Sequence, residues 1–144
     1  WPVSLPALPQ FRMTRHIVGR TVMTDGQSGR LAADSIGLYA DWRKPGYIWE
    51  VPLSALAPQR VKGLLAAGRC MSCAGDAWDV MRVIPAAALT GEVAGLACAL
   101  AQDDGVEPAA INVLKLQKKL RDMGFPLHLP DIGLGYQAKM PENQ

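Results

Sequence analysis

The eighteen residues from Pro85 to Gln102 carry a single charge, Glu92, and are otherwise dominated by alanine, glycine and leucine. No other feature limits the fold so strongly, because such a run reads as a helix that needs cover. Pro85 suits the first helical position, where a missing N–H costs nothing. Residues 93–101 are apolar on nearly every side, which predicts a buried helix rather than an amphipathic one. Ala87, Gly91, Gly95 and Ala99 recur at every fourth residue and form a smooth stripe that another backbone or a flat ligand can approach. The helix is expected to end at Gly105, a natural C-cap. Asp103 and Asp104 oppose the helix dipole there and are expected to be solvated. No run approaches the about 18–20 apolar residues of a membrane span, so no membrane partner is expected.

The chain has 144 residues, the length of one domain, and 49% hydrophobic residues, enough for a core without covalent staples. Fifteen basic and thirteen acidic residues leave a net charge of +2. That balance argues against nucleic acid as a partner. Lys115, Lys118, Lys119 and Arg121 read as a solvated helix face. Three cysteines are too few, and odd in number, for a disulfide framework. Residues 1–10 hold several prolines and read as an extended linker, not a signal peptide. With no methionine at the start, this opening creates the expectation of a chain cut from something larger. Residues 11–124 form the folded segment, and 125–144 an irregular tail meandering over the surface. Unpaired cysteines and the lack of a signal favour a cytoplasmic setting.

Within the segment, Phe11 to Met23 reads as one or two strands with Gly19 as a bulge. Asp25 to Gly29 is turn chemistry. Ser35 to Pro52 reads as a hairpin turning at Arg43 to Gly46, with Pro52 ending the pairing. Leu64 to Gly68, apolar and bounded by glycines, reads as a buried strand. Asn112 to Met123 reads as a second, amphipathic helix, capped by Asn112 and Gly124, with Val113, Leu116, Leu120 and Met123 on its apolar face. Trp42, Trp49 and Trp78 are expected in the core or an interface. The class is α/β: several short strands, a buried small-residue helix and an amphipathic helix.

Most enzyme signatures are absent, including glycine-rich phosphate loops, the nucleophile elbow and paired metal-binding histidines. No catalytic residue and no metal site is assigned. Cys70 and Cys73 form a Cys-x-x-Cys, read either as two buried thiols or as a redox dithiol. His16 is read as a structural histidine or a proton carrier. The informative arrangement is a strand ending at Gly68, a loop, then a helix starting at Pro85. Helix N-termini present free N–H groups and positive partial charge. With Arg69 and Arg82 flanking, this end suits a phosphate or another electron-rich group. An ordinary strand-to-helix connection, with Arg82 in a salt bridge to Asp76 or Asp79, is the competing reading.

Several stretches resemble one family: Val51 to Pro58, the GLLAAGRCMS of Gly63–Ser72, the RVIP of Arg82–Pro85 and the TGEVAG of Thr90–Gly95. They are similar to the "GRCIS…RVMP…TGEAAG" pattern of bacterial FAD-dependent oxidoreductases in the glutathione-reductase-like flavoprotein superfamily. FRMTRHIVG at Phe11–Gly19 resembles that branch's "RESRRIVG" strand. The order and spacing agree from Phe11 to about Met123.

The resemblance implies a partial FAD-binding fold whose cofactor site is completed by an N-terminal part of the same protein. It implies that Gly68 and Arg69 line the ribityl–pyrophosphate side. Val83, Ile84, Pro85, Ala86 and Ala87 would meet the flavin end, Arg82 beside the helix N-terminus would bind the cofactor too, and Thr90 would permit close packing. Arg15 would face substrate or flavin, or simply be solvated. Gly75 stands where the family often has histidine, so no role resting on that side chain carries over. The expected function is hydride transfer between an unidentified small molecule and FAD in the full protein, with the chain alone inactive, not retaining FAD and self-associating. The alternative is a stand-alone, non-catalytic interaction domain.

Overall fold

The computed structural model describes residues 13–136. The expected linker, Phe11 and Arg12 of the first expected strand, and residues 137–144 of the tail lie outside the described residues.

The hairpin forms as its residues dictate. Strand β1 (Ser35–Ala40) pairs antiparallel with β2 (Ile48–Pro52), with Leu38 opposite Glu50 and Tyr39 opposite Trp49. The turn between them is organised by Asp41, whose carboxylate accepts the Arg43 N–H at 2.8 Å, and by Gly46 at φ +86°. Pro52 closes the pairing opposite Ser35. Trp49 is buried, and its indole N–H donates to the Thr24 carbonyl at 2.9 Å. Trp42 lies outside the core, 66% exposed, because the turn carries it outward beneath the Arg43 guanidinium.

Among the described residues three α-helices complete the architecture: α1 (Asp76–Met81), α2 (Ile84–Asp104) and α3 (Val113–Asp122). A mixed fold of three helices and one two-stranded sheet is consistent with part of an α/β domain, with fewer strands than the sequence suggests. Residues 13–23 form no regular strand, only single bridges from Gly19 to Pro58 and from Met23 to Cys73. The segment threads between two loops and alternates partners: Ile17 and Met23 donate to Cys70 and Ser72, Arg20 and Thr21 to Ala57 and Ser54. Gly19 is not a bulge. A Cβ there would lie 2.5 Å from that of Ser72, so glycine is required for close approach.

Leu64 to Gly68 is likewise no strand. Ala66 donates to the Leu56 carbonyl at 2.8 Å, but no strand lies alongside among the described residues, and Leu64 is 45% exposed. The stretch ends in a 3-10 turn at Gly68–Cys70.

Helix α2 starts one residue before Pro85, at Ile84, and ends at Gly105 in the left-handed conformation. Ala86, Thr90, Val93, Ala97, Leu100 and Ala101 are buried. Gly91, Gly95 and Ala99 are exposed, and nothing lies within 4 Å of a Cβ at either glycine. The expected all-round burial fails because only one side of the helix has a layer to pack against. By length and composition α2 could cross a membrane, with 21 residues and a mean hydropathy of 1.6 over its best window. In this fold the helix packs against β1, α1 and α3. Asp103 is solvated as expected, whereas Asp104 pairs with Lys115 at 2.5 Å.

Helix α3 follows its sequence signals. Asn112 accepts the Leu114 and Lys115 amides, and Leu116 and Leu120 are buried. Met123, at the end of the face, is 50% exposed. Buried Gln117 donates to the Ala33 and Ser35 carbonyls, both at 3.0 Å, joining α3 to the hairpin.

Residues 125–136 do not meander. Leu127 and Leu129 are buried, and a 3-10 turn spans Leu129–Ile132. The anchor is Glu50 of β2. Its carboxylate accepts from Leu129 N at 2.9 Å, Tyr136 Oη at 2.8 Å and Ala32 N at 2.7 Å, with His128 Nδ1 at 2.9 Å.

Candidate functional site

The short helix α1 and the long helix α2 meet at Arg82 and Val83. Arg82 caps α1, donating its N–H to the Trp78 carbonyl at 3.2 Å, and Val83 is the N-cap of α2. The Val83 side chain makes no capping hydrogen bond at this end of α2. A helix start without such a cap leaves first-turn amides for another acceptor, and the Ala86 amide already bonds the Tyr39 phenol. Pro85, in the second position, contributes no N–H but holds the backbone in helical φ.

The turn carrying Gly68 and Arg69 packs against the first turns of α2. Gly68 donates its N–H to Thr90 Oγ1 at 2.8 Å, and that hydroxyl donates to the Ala86 carbonyl at 2.7 Å. Gly68 has φ +61°, and a Cβ there would lie 3.0 Å from the Ala87 Cβ. Glycine is thus required both by conformation and by proximity. Trp78 pins the turn from the other side, its indole N–H donating to the Arg69 carbonyl at 3.0 Å.

Between these elements lies an open groove of about 420 Å³, lined by Arg69, Arg82, Val83, Ile84 and Pro85. Five of the nine expected binding residues therefore share one surface. Gly68, Ala86 and Thr90 lie buried behind it, and Ala87 is half-buried. They hold the wall together rather than face the groove. Ile84 is 85% exposed, an unusual position for isoleucine at the start of a helix.

The salt bridge weighed for Arg82 is present, its Nε lying 3.3 Å from Asp79 Oδ1. Asp76 pairs instead with Arg43 and Lys44. Tyr39 of β1 lies beside the start of α2: burial pushes its phenol up, and the Ala86 amide pulls the other way. Neither Tyr39 nor Trp78 was visible as part of this site, since only the fold brings them to it. His16 is exposed, with its ring edge-on to Trp78 at 4.7 Å between centroids. Arg15 is exposed as well.

The two cysteines of Cys-x-x-Cys differ. Cys70 is exposed, while Cys73 is buried and desolvation pushes its thiol up to about 12. Both are free thiols. A thiol so far above neutral is a poor redox nucleophile. Among the described residues no cluster of histidine, cysteine, aspartate or glutamate could hold a metal ion.

A helix start, two arginines and an apolar shelf share one groove, a set of groups whose chemistry suits an anionic or electron-rich ligand. A family model for FAD dependent oxidoreductases matches residues 2–120, and the chain belongs to that family. Comparison with curated proteins and with solved structures finds no match.

Proposed function

We propose that this chain is the C-terminal part of a bacterial, cytoplasmic FAD-dependent oxidoreductase of the glutathione-reductase-like kind, forming the flavin-side wall of its cofactor site. The supporting observation is the convergence of Arg69, Arg82, Val83, Ile84 and Pro85 on one groove at the start of α2. The donor set suits FAD: two guanidiniums and a helix amide for its electron-rich edge and phosphates, and an apolar shelf for its ring. When bound, FAD supplies the hydride chemistry. The chain's residues bind and orient. Arg69 and Arg82 offset negative charge, the start of α2 presents the Ile84 amide, and the Gly68–Thr90–Ala86 hydrogen bonds keep turn and helix in register. An N-terminal part of the same protein supplies the ADP-binding half, and the substrate is a small molecule. The isolated chain is inactive and holds FAD weakly.

A second groove, of about 450 Å³, favours a further element of this reading. It is lined by Ile17, Val18, Pro58, Gln59, Arg60, Val61 and Leu64, of which Val18 is 66% and Val61 55% exposed. Apolar surface of this kind is normally covered. In the whole enzyme the N-terminal part covers it. In the isolated chain it drives self-association, and a stand-alone interaction domain would use the same surface.

The test is an NMR titration of the chain with FAD. The reading predicts shifts concentrated at Gly68, Arg69 and Arg82–Ala87. Saturable binding that leaves those amides unmoved, or no binding at millimolar FAD, refutes it.

A further inference from the structure

Four alternating charges run from the hairpin turn to the groove. Asp41, whose side chain is fully buried, holds Arg43 through two contacts: Nε to Oδ1 at 3.1 Å and Nη2 to Oδ2 at 3.2 Å. Burial works to raise the Asp41 carboxyl, but the hydrogen bonds and charge of Arg43 outweigh it and hold the group below its ordinary value. Arg43 Nη1 reaches onward to Asp79 Oδ2 at 3.3 Å. The other Asp79 oxygen, Oδ1, takes Arg82 Nε at 3.3 Å. Among the described residues, nothing pairs with the two terminal nitrogens of Arg82, a residue that lines the groove.

A guanidinium held at Nε keeps its terminal fork free for a second, planar contact with an anion. A carboxylate gripped at both oxygens by two arginines has a fixed plane and holds Nε in one direction. We propose that Asp79, steadied by Arg43, is the positioning residue that presents the Arg82 fork to the anionic part of the ligand. The inference rests on the flavin reading of the groove. It assigns the hairpin turn, distant in sequence, a role in ligand affinity through Arg43.

A double-mutant cycle tests it. Asp79→Asn, Arg82→Gln and the double variant are titrated by NMR with inorganic pyrophosphate and, separately, with FAD. Asp79→Glu accompanies them as the conservative variant, and amide spectra establish that each is folded. Asp79→Asn is expected to weaken binding about three- to fivefold, the scale of a part-exposed ion pair. The same change in the Arg82→Gln background should have almost no effect. The slow exchange of the Arg82 Nε proton should be lost in Asp79→Asn and kept in Asp79→Glu. Equal losses in both backgrounds, or none in either, overturn the proposal, because Asp79 would then not act through Arg82. A chain that takes pyrophosphate but not FAD refutes the flavin reading and leaves positioning to be judged by the pyrophosphate cycle. A chain that takes neither overturns both.

Discussion

Glu50 offers the sharpest test of how the fold is held. Its side chain is fully buried and its carboxylate serves four partners: Ala32, Leu129, Tyr136 and His128. Glu50→Gln keeps the shape but replaces one acceptor oxygen with an NH₂ donor. The remaining oxygen can stay with the Leu129 amide and the Tyr136 hydroxyl. The new NH₂ then faces the Ala32 amide, which loses its acceptor, and His128, which can switch tautomer to accept. One orphaned amide costs about 1–3 kcal/mol. Replacing charge-assisted bonds with neutral ones adds to this. The expected loss is about 2–3 kcal/mol, or a fall in Tm on the order of 10 °C for a chain of this size. Urea unfolding followed by tryptophan fluorescence suits the measurement, since buried Trp49 neighbours Glu50 on β2. Limited proteolysis should show residues 125–136 released before the rest. A loss below about 0.5 kcal/mol, the level of an ordinary surface change, would refute the view that this carboxylate anchors the segment. So would a destabilised variant whose 125–136 segment stays as protected as in the wild type.

Three further outcomes follow from the same physics. Gly68→Ala forces a side chain into φ +61° and to 3.0 Å from the Ala87 Cβ, so it should cost at least about 1–2 kcal/mol. An unchanged urea midpoint would contradict the close-approach argument. Under native conditions Cys70 and Cys98 should be alkylated while Cys73, its thiol pushed up to about 12, reacts only on unfolding. Equal rates for all three, or a Cys70–Cys73 disulfide, would revive the redox reading. The Asp131 carboxyl is lowered to about 2, first by the Leu127 amide and then by the His128 amide and Arg121, with burial opposing. A depressed carboxyl contributes stability above its ordinary value of 3.8 that disappears as pH falls through about 2. Asp131→Asn should therefore flatten the acid limb of the stability curve between those values, and an unchanged limb counts against the pairing.

Local signals proved readable and pairing did not. The Asn112 cap, the left-handed Gly105, the hairpin turn at Gly46 and the Pro52 terminus all depend on neighbouring residues, and each stands where its chemistry requires. The strand expected at 11–23, in its described part from 13, and the strand expected at 64–68 failed because a strand is defined by a neighbour, and these stretches meet loops instead. The burial of α2 was overestimated because alanine and glycine suit a buried and an exposed face alike. At the candidate site, Arg69, Arg82 and the start of α2 were legible from motif and helix-end chemistry. The roles of Tyr39, Trp78 and Arg43 were not, because each reaches the site only through tertiary packing. Glu50 was equally silent: a lone acid in a strand gives no sign that a distant segment will fold onto it.

The central claim is that this chain walls the flavin side of an FAD site. The most direct measurement is the visible absorption spectrum of the complete native gene product, purified without added cofactor, beside its Arg82→Gln variant. The account predicts flavin bands at about one equivalent per chain and a variant that loses cofactor readily on dilution. A colourless protein that takes up no FAD on addition would contradict it.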